Sequence, residues 1–262
     1  MTQIALLAAL LVVVALAIFA TDQAGRRADH LARQRGAFIS AVSHELRTPL
    51  TTLRMHAELL RDGLVGSDKR QKFHDDMVQE SVRLSRLVEN VLEATRLEEG
   101  RRPMRIQAGD LADAVRSIAM GQSPFLQAKG FTVDVDTGDD EVPAVFDRQA
   151  IEQIVVNLLD NAAKYSAEAT DRSVRVEVKS ERGEAVVRVL DRGPGIPSDD
   201  VERVFQRFYR VERPGQDHVV GTGLGLALVR ELAQAHGGRA TASQRDGGGC
   251  CIEVRIPQQA RV

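Results

Sequence analysis

The sequence predicts a multidomain chain: an N-terminal transmembrane helix, an all-α helical hairpin, and a C-terminal α+β sandwich. Three observations carry this. Residues 4–20 form an unbroken apolar run, and apolar residues recur at helical spacing through two long stretches between 37 and 98. Beyond residue 100, short alternating strands interleave with amphipathic helices. The expected boundaries are an anchor at 1–22, a connector at 23–36, a hairpin at 37–99 and the mixed domain at 100–262.

The run IALLAALLVVVALAIFA carries no charge, and about seventeen residues is the lower limit for crossing a hydrocarbon core. Arg26, Arg27, Arg33 and Arg35 follow it and no Lys or Arg precedes it. The positive-inside rule therefore places everything after the run in the cytoplasm, as a single-pass protein of the inner membrane. A cleaved signal peptide is the rival reading, with Ala15-Leu16-Ala17 imitating a cleavage site. Against it, the segment before the run has no positive charge and the run is longer than a usual signal core. The net charge of −2 leaves no basic footprint, so nucleic acid is not an expected partner. The two cysteines, Cys250 and Cys251, are adjacent; they read as strand residues in a reducing compartment, not as a disulfide framework or metal site.

In the hairpin, Phe38, Ala41, Val42, Leu46, Leu50, Leu53, Ala57 and Leu60 mark one amphipathic helix, and Phe73, Met77, Val78, Val82, Leu84, Leu87, Val88, Val91 and Leu92 a second. The Gly63 to Gly66 segment breaks them apart. One apolar stripe per helix cannot be buried within a single hairpin, so pairing of two chains into a four-helix bundle is expected. In the last domain, strands are expected at 131–135, 174–178, 185–190, 239–244 and 250–256. The second and third should form an antiparallel hairpin across Arg182-Gly183, and helices are expected at 111–129, 148–165, 199–208 and 224–236.

Four constellations carry chemistry. The first is Ala41-Val42-Ser43-His44-Glu45-Leu46-Arg47-Thr48-Pro49-Leu50. Pro49 removes a hydrogen bond to the carbonyl of Glu45 and costs about 3 kcal/mol in a helix interior, which a purely structural hairpin has no reason to accept. His44 and Thr48 share a helical face, and Glu45 has the reach to approach the imidazole. A neutral imidazole can attack phosphorus while a carboxylate holds its tautomer and takes the proton. The other histidines, His30, His56, His74, His218 and His236, have no such context and read as surface or packing residues.

The second is Asn157-Leu158-Leu159-Asp160-Asn161-Ala162-Ala163-Lys164-Tyr165, in which Asn157, Asn161 and Lys164 fall on one helical face. Two amides and an ammonium suit a metal-bound polyphosphate, since Mg²⁺ takes a few oxygen ligands beside phosphates. A solvated polar face is the alternative for that spacing. The third is Asp191-Arg192-Gly193-Pro194-Gly195, where the glycines admit a close backbone turn and Asp191 offers an acceptor for an exocyclic amine. The fourth is Gly221-Thr222-Gly223-Leu224-Gly225, a glycine-rich loop opening a helix, which is an anion site by geometry and dipole. It is neither a dinucleotide fingerprint nor a Walker loop. Between the last two lie the aromatics Phe205, Phe208 and Tyr209, more often core than site, and an Arg, Pro, Gly and Asp-rich stretch up to Gly221 that reads as a lid.

Residues 38–53 resemble the H box of histidine kinases, and the later motifs, in order, resemble the N, G1, F and G2 boxes of the ATP-binding fold those kinases share with gyrase, Hsp90 and the MutL proteins. The resemblance implies that His44 accepts the γ-phosphoryl group of ATP, that Glu45 is the general base, and that Glu45-x-x-Thr48 dephosphorylates the partner, the threonine positioning water. It further implies that Asn161, with Asn157, binds Mg²⁺, that Lys164 meets phosphate, that Tyr165 lies on the nucleotide, and that a response-regulator aspartate receives the phosphoryl group. A gyrase-type ATPase is the main rival, but there a glutamate matches Asn157, and an amide cannot serve as a base. A serine-directed kinase would lack the H box, and a non-catalytic scaffold would be expected to show degraded boxes.

Overall fold

A computed structural model describes residues 46–98, 102–138, 141–211 and 223–259, with a few isolated positions between 23 and 43. The apolar run at 4–20 lies outside the described residues, as do His44, Glu45, Gly221 and Thr222. Among the described residues no helix is long and apolar enough to cross a membrane. Residues 46–61 are helical (α1) and residues 62–66 turn the chain into α2, Ser67–Glu98. Gly63 takes the left-handed conformation at the break, with φ +68°. The His56 and Phe73 rings meet across the pair with centroids 4.5 Å apart, and Val65 and Leu87 are buried. Leu50, Met55, Val78, Val82, Val88 and Leu92 stay exposed, which leaves much of the apolar stripe uncovered in a single chain.

The mixed domain contains β1 (Gln107–Asp110), α3 (Leu111–Ala128), β2 (Thr132–Asp136), β3 (Pro143–Phe146), α4 (Arg148–Tyr165), β4 (Ser173–Glu181), β5 (Glu184–Leu190), α5 (Gly225–Ala235), β6 (Arg239–Gln244) and β7 (Cys250–Pro257). Two aspartates start the longer helices: Asp110 accepts from Ala112 N, and Asp147 accepts from Gln149 N and Ala150 N. The main sheet runs β2-β4-β5-β7-β6, with β1 and β3 forming a separate antiparallel pair. The expected β4–β5 hairpin forms, and Arg182 and Gly183 both adopt positive φ in its two-residue turn. β2 pairs with β4 in parallel, which needs the crossover that β3 and α4 supply.

Alternation divides the sheet. Val174, Val176, Val178, Val187, Val189, Ile252, Val254 and Ile256 are buried, and the helices α3, α4 and α5 cover that face. Leu158, Leu159, Leu228 and Leu232 fill the layer between, each worth about 1.5–3 kcal/mol of apolar burial. The opposite face carries ion pairs: Arg188 joins Glu181 and Glu253, and Arg255 joins Glu181, Glu253 and Glu184.

The structure corrects two expectations. The sequence pattern gave no sign of β1 or β3, since four-residue strands are too short to show a period. The helix expected at 199–208 is instead two short 3₁₀ turns, Ser198–Asp200 and Arg203–Phe205. Val204 and Phe205 enter the core, while Phe208 turns to φ +66° and donates its N–H to Gly223 O at 2.9 Å. A continuing helix could not make that bond.

Candidate nucleotide-binding site

α4 positions the amide face. Asn157 Nδ2 donates to Gln153 O at 2.8 Å, one turn back, which commits the nitrogen and turns Oδ1 outward. Asn157, Asn161 and Lys164 are all partly exposed along this face, with Lys164 Nζ 5.0 Å from the centroid of the Tyr165 ring. The start of α5 closes on the same face. A β-carbon placed on Gly225 would stand 3.1 Å from Asn157 Oδ1 and 3.5 Å from Asn161 Nδ2. Leu224, at the N-cap of α5, supplies no side-chain cap, and the start of a helix suits an anion, here beside the amides of Asn157 and Asn161. Leu224 is buried and anchors that end. Gly223 has φ +66°, and a side chain there would strike Phe208, its β-carbon 2.7 Å from the main chain.

The C-terminal end of α4 meets the loop after β5. Asp191 is only 9% exposed; its Oδ1 accepts from Gly193 N at 2.8 Å and Cys250 N at 3.1 Å. Burial pushes its pKa up, against those hydrogen bonds, the charge of Arg245 and the nearby Ser166 hydroxyl. Ser166 Oγ is itself buried and closes no hydrogen bond of good geometry, so its effect on Asp191 is one of proximity. Gly193 packs against this corner, since a β-carbon there would meet Tyr165 O at 2.9 Å and Ser166 Oγ at 3.0 Å. Gly195 has φ +73° and passes the Gln244 side chain, whose Nε2 donates to Ile196 O at 2.5 Å.

Thus α4 brings together Asn157, Asn161 and Gly225 along its second half and Tyr165, Asp191 and Gly193 at its C-terminal end. Thr48 is exposed on α1. Sequence reasoning missed the support of Asp191 from β7. Gly249, at φ +105°, lets the 247–249 turn press on the main chain of Asp191, for a β-carbon there would lie 2.1 Å from Asp191 O. Three consecutive glycines before Cys250 were the available signal. Both cysteines lie in a strand, as expected: Cys250 is buried in β7, Cys251 is partly so, and burial raises both thiols. His236 is a packing residue, its Nδ1 donating to Leu232 O at 2.7 Å and its Nε2 accepting from Asp147 N at 3.0 Å.

Amide oxygens are hard donors, and Asn157 Oδ1 and the Asn161 amide flank a helix start that would hold phosphate; the site therefore fits a Mg²⁺ shared with a polyphosphate. A helical hairpin followed by a sheet with helices on one face and a site along α4 defines a class: a helical-hairpin module joined to a nucleotide-binding domain. Two family models match, the His Kinase A (phospho-acceptor) domain over residues 34–100 and the Histidine kinase-, DNA gyrase B-, and HSP90-like ATPase over residues 146–260. The chain belongs to the sensor histidine kinases of two-component systems.

Among curated relatives, it is 36% identical over 249 residues to the histidine-protein kinase AfsQ2 of Streptomyces coelicolor, covering 89% of this chain and 44% of that one. It is 34% identical over 228 residues to the sensor histidine kinase WalK of Bacillus subtilis, covering 86% and 37%. The chain thus spans less than half the length of either. Among solved structures, full-length ShkA in complex with AMPPNP is 26% identical with a TM-score of 0.60, covering 83% of this chain and 45% of that one. Histidine kinase ThkA, solved with the response regulator TrrA, shares the fold at 20% identity and a TM-score of 0.66, covering 86% and 62%.

Proposed function

We propose that this chain is an ATP-dependent protein-histidine kinase that phosphorylates itself on His44 and passes the phosphoryl group to an aspartate of a response regulator. The observation that carries the reading is the seating of Gly225 on Asn157 and Asn161, with Asp191 buried beside the C-terminal end of the same helix. The spacing suits ATP: Asp191 accepts from the adenine amine, and the phosphates run along α4 to the start of α5. ShkA, solved with an ATP analogue, supports an adenine nucleotide there. Mg²⁺, when bound, offsets charge on the phosphates; Asn157 and Asn161 would hold it through their amide oxygens.

His44 attacks the γ-phosphorus through a neutral ring nitrogen, the bond to the β–γ bridging oxygen breaks, and ADP leaves. Glu45 takes the imidazole proton. Positioning and charge neutralisation by Lys164 and the α5 N-terminus supply most of the rate enhancement in such transfers. Asn157 has no basic lone pair to activate water, so the bound ATP is held for transfer, unlike that of a gyrase-type ATPase. Thr48, exposed one turn after residue 44, suits a reverse activity in which it positions water for dephosphorylation of the regulator. The uncovered stripe on α1 and α2 suits a homodimer. Residues 4–20 would anchor the chain in the inner membrane with both domains in the cytoplasm.

Incubation with γ-labelled ATP tests this. The expected product is an acid-labile, alkali-stable label that His44→Gln abolishes; label that survives acid, or persists in His44→Gln, overturns the reading.

A further inference from the structure

Arg102 takes no part in the proposed chemistry, yet three helices converge on it. Its guanidinium pairs with Glu93 near the end of α2, and its Nη1 donates to Gln153 Oε1 of α4 at 3.4 Å. Its charge also reaches the Asp147 carboxylate that starts α4 and the His236 ring that ends α5, among other influences on both. The next segment is tied down as well, since Arg105 N donates to Asp147 Oδ2 at 2.9 Å, and Leu97 and Met104 pack against the domain core from either side of Arg102.

Two features mark this contact as more than a surface ion pair. First, the Arg102 and Glu93 side chains are only 11% and 14% exposed, a degree of burial at which losing one partner leaves an uncompensated charge. An exposed competitor, Arg96, approaches Glu93 only to 4.0 Å. Second, the contact ends beside the site. Gln153 takes Arg102 on its side chain and Asn157 Nδ2 on its main-chain carbonyl. The pair thus fixes the nucleotide-binding domain to α2 through the same turn of α4 that sets the metal-facing amide.

We infer that Arg102 is an autoinhibitory latch, holding the nucleotide-binding domain on the end of α2 in the resting kinase. The inference rests on the kinase reading, in which the domain must travel to His44 in the other helix of the hairpin. A domain pinned to α2 by a buried pair cannot make that excursion until Arg102 lets go. Anything that rotates or stretches the end of α2 moves Glu93 relative to Arg102, so a signal passing down the hairpin acts directly on the latch. A structural pair and a latch differ in sign: loss of the first lowers activity, and loss of the second raises it.

The test is a charge-reversal cycle in the full chain, held in detergent micelles. Arg102→Glu and Glu93→Arg should each raise the initial autophosphorylation rate on the order of tenfold with little change in KM for ATP, and the double reversal should return it towards the parent value. Single variants that match or fall below the parent, or a double variant that stays as fast as the singles, overturn the latch while leaving the kinase reading intact. Hydrogen exchange gives a readout independent of catalysis. Amides at 90–98 and 102–106 should exchange faster in each single variant and recover protection in the double; unchanged exchange overturns the latch. A parent that takes no label refutes the kinase reading, and exchange then decides the latch alone.

Discussion

Replacing Gly225 by alanine should leave the fold almost untouched and cripple nucleotide binding. Gly225 is the first residue of α5, where alanine is the better helix former by at most about 1 kcal/mol. The added β-carbon, however, would sit 3.1 Å from Asn157 Oδ1, so the amide must retreat by a few tenths of an ångström. Its tether is the 2.8 Å bond from Nδ2 to Gln153 O, and loosening a hydrogen bond of that kind costs about 1 kcal/mol. Gain and loss nearly cancel, so Tm should move by no more than about 4 °C. Binding does not share the cancellation. The methyl group occupies the space between the helix start and the two amides, and displacements of this order cost roughly tenfold to a hundredfold where charge must be placed accurately. Isothermal titration with MgATP, alongside a thermal melt, measures both quantities. MgATP affinity within about twofold of the parent's would refute this placement of the phosphates, and a melt lowered by about 10 °C would refute the compensation.

Two further outcomes concern stability. Hydrogen bonding to Arg188, together with Arg255, holds Glu181 down to about 2 from an ordinary value of 4.5, against its partial burial. Its contribution is therefore complete above pH 4.5 and lost as the pH falls through about 2. Glu181 is 32% exposed, so screening reduces the effect to about 1 kcal/mol. Urea titrations should find Glu181→Gln less stable than the parent by about that amount at neutral pH, with the gap closing below pH 3; a gap that persists in acid contradicts the network. Burial lowers the pKa of His236, with the Leu232 carbonyl and Asp147 opposing and Arg102 assisting. The folded state thus keeps the ring neutral, and stability should fall as the pH drops below about 6.5, because the unfolded chain binds the proton first. His236→Phe strands the Asp147 N–H and should cost about 1–3 kcal/mol at pH 8. It should also flatten the melting curve's dependence on pH between 5 and 7; an unchanged slope would assign that dependence to other groups.

Much of the nucleotide site was legible because its residues are local. Asn157, Asn161 and Lys164 reveal themselves by helical spacing alone, and α4 ends at Arg148 and Tyr165 as its pattern foretold. The β4–β5 hairpin was equally plain, with two alternating strands joined by a turn containing Gly183. The failures share a cause. β1 and β3 are four-residue strands that exist because they pair with each other across 33 or more positions, and no local period records that. The 3₁₀ turns at 198–205 follow an apolar spacing that imitates a helix, but the bond between Phe208 and Gly223 outcompetes it.

What the sequence by itself determined is the chemical inventory: an imidazole beside a carboxylate at 44 and 45, an amide where a hydrolase would need a base, and glycines where a backbone must approach a ligand. Those depend on residue type and on spacings within one turn or loop, which the chain carries with it. Only the tertiary structure decided which of these groups meet. Gly225 reaches the Asn157 amide, Cys250 steadies Asp191 from a neighbouring strand, and Arg102 finds Glu93, because sheet order and helix packing bring together residues separated by tens of positions. Those contacts are set by burial of one shared core, a property of the whole domain that no short stretch of sequence contains.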